Sequence, residues 1–295
     1  MPVRSLATLT LLLAAAGMPP TARAQGGPDP RTAGSPTAGY ATVNGLRMYY
    51  ELHGDGGTPL VLIHGGGSTI GTNFGRVLPL LSRTRRVIAV EVQAHGHTRD
   101  VDRPFTFAQD ADDVAALLDS LGAPRADILG FSNGGTTALQ LAIRHPTKVH
   151  RLVIASANYK RDGMQPGFWD AMAKGTFADM PQPYKDAHLT INPVDDTGLH
   201  AMFERDSKRM LAFEDIPDAA IRAIQAPTLV VVGDRDVIRP EHALELVRTL
   251  PNARLSILPG THGSYLGEIM TPNVSQRVLE SFAALIDEFL DSSSS

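Results

Sequence analysis

The 295-residue chain contains no cysteine. That absence excludes a disulfide framework, a thiol nucleophile, a thiolate metal site and a lipid-modified cysteine anchor. A domain of this size can be stable on its apolar core alone. Excess charge of one sign is also missing: 27 Lys and Arg against 31 Asp and Glu leave a formal charge of −4. Such a balance gives no field to draw in nucleic acid or anionic lipid, so neither is expected as a partner. Aromatic residues make up only 6%, with a single tryptophan, Trp169, so the place where they concentrate carries information.

The N-terminus reads as an export signal over residues 1–24. Arg4 supplies a positive start, Leu6 to Gly17 an apolar stretch, and Thr21-Ala22-Arg23-Ala24 an A-x-A cleavage pattern. The apolar stretch is shorter than the roughly 20 residues a membrane helix needs, so cleavage after Ala24 is expected, with no anchoring afterwards and a periplasmic or secreted product. Residues 25–38 are rich in Gly, Pro, Ser and Thr and read as a flexible linker.

From there strands and helices alternate. Ala41 to Val43 and Leu46 to Leu52 flank Asn44-Gly45, the signature of a tight hairpin. Leu60 to Ile63, Arg86 to Val92, Ala126 to Leu129, Arg151 to Ser156, Thr228 to Val232 and Arg254 to Leu258 read as strands. Those apolar throughout imply burial on both faces, and their alternation with helices implies a parallel sheet. Thr106 with Gln109 predicts a capping box at the start of a helix that Gly122 ends. A last helix is expected to open at Thr271-Pro272 and to bury Val278, Phe282, Leu285 and Phe289. Residues 158–226 break the rhythm with short amphipathic stretches. They predict a helical cap over the sheet edge, with a pair of crossover helices as the alternative. The core is then 39–157 and 227–291.

Chemistry concentrates at the strand ends. Gly130-Phe131-Ser132-Asn133-Gly134 lies between a strand and a helix that stops before Pro146. A serine on so tight a turn is pushed out of the backbone, toward a base and a substrate. In a chain with 27 glycines the pattern alone is cheap, so its surroundings must decide. A serine hydroxyl needs a base, and the base needs an orienting acid. Of ten histidines, His262 is the one in a loop directly after the last strand. Between serine and histidine, Val232-Gly233-Asp234-Arg235-Asp236 offers two acids. Asp236 is preferred, because Asp234 follows the glycine immediately and suits a turn cap. His64-Gly65-Gly66-Gly67 can expose backbone amides to a developing oxyanion, Gly66 supplying one donor and Asn133 the other. No G-x-x-x-x-G-K-[ST] lysine follows that loop, which argues against a phosphate cradle.

With these motifs in this order, the chain resembles the α/β-hydrolases over about Tyr40 to Leu290. The resemblance implies a mostly parallel eight-stranded sheet with helices on both faces and a cap inserted after strand six. It also implies an esterase-like serine hydrolase that needs no cofactor or metal and acts on a small-molecule ester or lactone. Gln93-Ala94-His95-Gly96-His97-Thr98 is similar to a structural turn of that family, so His95 and His97 are not expected to bind metal. Asn133 departs from the bulky residue usual after the serine, and Gly263-Ser264 departs from the usual order after the histidine. Trp169, Phe168 and Tyr184, with Phe177 and Met202, are expected to line an apolar substrate pocket in the cap. The same triad also serves C–C bond hydrolysis and perhydrolysis, and a ligand-binding relative with little turnover is a further alternative.

Overall fold

Largely apolar runs become the central strands of one eight-stranded sheet, in the order β1-β2-β4-β3-β5-β6-β7-β8. The computed structural model describes residues 36–292. The strands are β1 (Thr37–Val43), β2 (Leu46–His53), β3 (Leu60–Ile63), β4 (Val87–Glu91), β5 (Ala126–Phe131), β6 (Val149–Ala155), β7 (Thr228–Gly233) and β8 (Ala253–Leu258). The opening hairpin is antiparallel and so is the β2–β4 pairing; every later pairing is parallel. The helices are α1 (Ile70–Phe74), α2 (Leu78–Leu81), α3 (Phe107–Ser120), α4 (Asn133–Arg144), α5 (Phe168–Lys174), α6 (Gln182–Ile191), α7 (Asp196–Leu211), α8 (Asp218–Arg222), α9 (Pro240–Thr249) and α10 (Gln276–Asp291).

Successive strand residues point to opposite faces, so each interior strand divides its side chains between two cores. Val61, Ile63, Ile88, Val90, Ile128 and Ile154 meet α3, α4 and α9 through Val114, Leu118, Leu139 and Leu246. Leu60, Leu62, Ala89, Leu129, Val153 and Val231 meet α1, α2 and α10 through Phe74, Leu78, Leu279, Phe282 and Ile286. Both faces are therefore covered, as continuous apolar strands require.

The segment between β6 and β7 carries the four helices α5 to α8, more than a crossover pair. Its contacts reach the loops that follow β3 and β4: Asp206 accepts from the Gly67 amide, and Arg205 pairs with Asp100 at 2.9 Å. Those loops lie at the C-terminal edge of the parallel strands.

Four local expectations shift. The export signal lies outside the described residues, but β1 begins at Thr37, inside the stretch expected to be linker, because Thr37 and Ala38 pair with Leu52 and Glu51. The Thr106 box is half made: Thr106 accepts from the Gln109 amide, while the Gln109 side chain donates to Asp113 instead. The last helix starts at Gln276, after Ser275, because Arg76 reaches over the carbonyls of Pro272 and Val274 and holds that stretch as turns. The stripe that faces the core is Leu279, Phe282, Ile286 and Phe289, leaving Val278 exposed and Leu285 at its margin, because α10 docks about one residue step around from the expected face.

Candidate active site

Ser132 stands between β5 and α4 with φ 54° and ψ −123°, a backbone region that disfavours any residue with a Cβ. The turn can close so tightly because of its flanking glycines. A Cβ on Gly130 would lie 2.1 Å from the Gly134 carbonyl oxygen, and one on Gly134 equally close to that of Ile63. The bend lifts the serine out of the sheet while its own amide remains bonded to Ala155 on β6.

His262 comes to it from the loop after β8. Its Nε2 lies 3.0 Å from Ser132 Oγ, and its Nδ1 lies 2.7 Å from Asp236 Oδ1. Asp236 is buried in the loop after β7 and accepts further bonds from the Ile238 amide and the Ser156 hydroxyl. Burial pushes its carboxyl up, but the bond and charge of His262, with those two donors, outweigh burial and hold it below the usual carboxylate range. Asp234 has a different place. It is half exposed, and its Oδ1 accepts from the Gly260 amide, tying the β7 loop to the β8 loop.

Behind the acid lies a pair absent from the sequence expectations. Ser156 has one proton and gives it to Asp236, so the Tyr265 hydroxyl, 2.6 Å away, must donate to Ser156. Burial raises the Tyr265 phenol well above its ordinary value, which keeps it a donor. Ser156 follows an unbroken strand at the same sheet edge as Ser132 and Asp236, and that position was the available signal. Replacing Ser156 with alanine leaves Asp236 and Tyr265 each short of a partner. We expect a loss of about 1–3 kcal/mol in urea unfolding, and a loss below about 0.5 would contradict this role.

The loop after β3 presents a free amide beside the serine. His64 Nε2 accepts from the Val92 amide, so its proton sits on Nδ1 and is donated to the Gly65 carbonyl at 2.7 Å. Burial pushes this imidazole down to about 3, so it stays neutral. Because the Gly65–Gly66 peptide is planar and trans, holding its carbonyl on one side turns the Gly66 N–H to the other. Among the described residues neither that amide nor the amide of Asn133 has a hydrogen-bond partner. Both flank the serine, as an oxyanion site requires.

The cap aromatics fall into two groups. Phe168 and Trp169 pack with Phe107, Met210 and Phe213, and Arg161 lies over the indole at 3.8 Å, which accounts for them as cap-to-α3 packing. Tyr184 and Phe177 instead cluster with Met180, Leu199 and Met202. Met180 Cε approaches Gly67, and the Tyr184 hydroxyl donates to the buried Glu268 at 2.5 Å, so this second group borders the loop after β3. Of the expected pocket residues, Tyr184, Phe177 and Met202 fall in the group beside that loop, and Phe168 and Trp169 do not.

His95 and His97 do not converge on a common point. His97 pairs with Glu91 at 2.9 Å and His95 with Asp206 at 2.9 Å. Among the described residues one cluster, Asp162, His242 and Glu245, has metal-ligand spacing. Here His242 Nε2 accepts from the Tyr159 amide, which leaves its proton on the nitrogen facing Glu245. Lys160 already neutralises Glu245 at 2.7 Å. The imidazole's lone pair is taken by the Tyr159 amide and Glu245 by Lys160, so the donor set does not fit a cation.

Residues 58–184 match the family described as the alpha/beta hydrolase fold. The human serine hydrolase BPHL is 29% identical to this chain, over 90% of each protein. A 2-hydroxymuconate semialdehyde hydrolase of Pseudomonas sp. strain CF600 is 33% identical, over 70% of this chain and 81% of that protein. A pimeloyl-[acyl-carrier protein] methyl ester esterase of Neisseria meningitidis serogroup B is 32% identical, over 78% of this chain and 92% of that protein.

Proposed function

Because the chain belongs to the alpha/beta hydrolase fold family and is a hydrolase, we propose that it cleaves neutral carboxylic esters or lactones through Ser132, His262 and Asp236. The observation that carries this reading is the unbroken hydrogen-bonded line from Asp236 through His262 to Ser132, ending beside two unpartnered amides. Ser132 attacks the acyl carbonyl while His262 takes its proton. Asp236 holds the imidazole tautomer and stabilises the imidazolium. The Gly66 and Asn133 amides receive the oxyanion, where one such donor is typically worth about 10²–10³ in rate. His262 then protonates the departing alcohol, and water, activated by the same histidine, releases the acid. The segment 158–226 acts as the cap, and Tyr184 with its apolar neighbours selects small to medium apolar acyl groups.

C–C bond hydrolysis is the second reading, favoured by the similarity to the 2-hydroxymuconate semialdehyde hydrolase. A dienoate substrate brings a negative charge and needs a free cation to meet it. Beside the loop after β3, His95 faces Asp206, and Arg209 bridges Asp206 and Asp110, so neither is free to meet it. That favours neutral substrates. We expect p-nitrophenyl butyrate and neutral lactones to turn over repeatedly, with kcat/KM above that for an anionic vinylogous diketone. Faster cleavage of the diketone would reverse the choice, and one burst of product with no further turnover would favour a binding protein. We also propose export, which a mature N-terminus at Gln25 in the secreted or periplasmic protein would check.

A further inference from the structure

Asp206 is a buried carboxylate in the segment between β6 and β7. It lies on α7, is 9% exposed, and touches the loop that carries Gly66. Its Oδ2 accepts from the Gly67 amide at 2.5 Å and faces His95 Nε2 at 2.9 Å; its Oδ1 accepts from Arg209 at 2.5 Å. Arg209 continues to Asp110 on α3 at 2.5 Å, with its guanidinium over the rings of Phe105 and Phe107. His95 Nδ1 donates to the Gln93 carbonyl, so a proton on the nitrogen facing Asp206 makes the ring cationic. The cap carboxylate is therefore seated between two cations, and its remaining hydrogen bond goes to the oxyanion loop.

Of the two peptide planes around Gly66, the first is pinned by the core alone and the second by the core at its carbonyl and by the cap at its amide. The carbonyl of Gly65 is held by His64, and that of Gly66 by the Ser68 hydroxyl at 3.0 Å, both from the core. The amide of Gly67 is held most closely by Asp206, from the cap, at 2.5 Å, with His95 Nε2 of the core farther off at 3.2 Å. The contact leaves no room for a side chain, since a Cβ on Gly66 would lie 2.5 Å from Asn133 Nδ2 and 3.1 Å from Asp206 Oδ2. We propose that Asp206 is a positioning residue through which seating of the cap sets the oxyanion loop, so that the two-amide site is complete only under a closed cap. This inference rests on the reading of Gly66 and Asn133 as oxyanion donors.

The test compares wild type, Asp206→Ala and Asp206→Asn, with Arg161→Ala as a variant that loosens the cap away from the loop. Arg161 joins parts of the cap to one another, over Trp169 and onto the carbonyls of Leu211 and Phe213, so its loss leaves the Asp206 contact with the loop in place. Each is assayed with p-nitrophenyl butyrate and with 1-butylboronic acid, whose tetrahedral adduct on serine places an oxygen in the oxyanion site. For Asp206→Ala we expect kcat to fall about 10–100-fold with KM little changed, and the boronate Ki to rise by the same factor. Asp206→Asn keeps an oxygen that can accept from Gly67 and should retain more kcat; it carries the comparison should the alanine variant not fold. Arg161→Ala should lower the Tm and leave the boronate Ki in place. The proposal is overturned if Asp206→Ala and Asp206→Asn lose activity equally, if the loss lies in KM alone, or if Arg161→Ala weakens the boronate as much. Failure of the underlying reading shows separately, as a wild-type enzyme indifferent to the boronate.

Discussion

Replacing Ser132 with glycine should abolish ester hydrolysis and make the protein more stable. The two effects have one origin. The serine is held at φ 54° and ψ −123°, where a Cβ is crowded and glycine is not. Strain of this kind costs about 1–3 kcal/mol and persists because the surrounding turn over-determines it. Glycine removes the Cβ and the nucleophile together, so kcat should fall by on the order of 10⁴–10⁶. The Tm should rise by roughly 2–8 °C, at the few degrees per kcal/mol expected for a domain of this size. Alanine keeps the Cβ and separates the causes: it should lose the same activity with a Tm within about 2 °C of wild type. A glycine variant less stable than alanine would mean that the turn is unstrained. Substantial hydrolysis by either would remove Ser132 from the mechanism.

The second large effect concerns the choice between neighbouring acids. Asp236→Asn should lower kcat by about 10⁴, because an amide cannot stabilise the imidazolium and favours the wrong tautomer of His262. Asp234→Asn should stay within about threefold of wild type, since its bond to the Gly260 amide survives as a carbonyl acceptor. The reverse order of losses would transfer the role to Asp234. Asp236 also makes stability respond to pH. Asp236 is held below its unfolded value, so its contribution to stability is present above that value and is lost as the pH falls through the folded one. The stability gap between wild type and Asp236→Asn should therefore be widest near neutrality and shrink below about pH 4. A gap unchanged at acid pH would mean that Asp236 is not stabilised by its partners.

What the sequence made legible is what depends on local order. Runs such as Leu60–Ile63 and Thr228–Gly233 could be buried on both faces only in a covered parallel sheet, and that is where they lie. Ser132 and Asp236 follow such strands and His262 follows the edge strand β8 that runs parallel to them, so sheet topology brings all three to one edge. The hidden parts depend on pairs far apart in the chain. Asp206 meets His95 across 111 residues, and Ser156 meets Tyr265 across 109, with no periodicity to announce either. The same applies to Arg76, which reaches past Pro272 and delays α10 to Gln276. Trp169 drew attention as the rarest residue, yet its ring is occupied by Arg161 and Phe213. Its rarity gave no information about which neighbours the cap would bring to it.

The central claim is that Ser132 is the nucleophile, made reactive by His262. The most direct measurement is intact-mass and peptide mapping after reaction with a p-nitrophenyl alkylphosphonate, with p-nitrophenolate release followed in parallel. The account predicts one adduct per chain, on the peptide carrying Ser132, forming as ester hydrolysis is lost, and no adduct in Ser132→Ala. An adduct on any other residue that removes activity, or full ester turnover by a fully labelled Ser132, would contradict it.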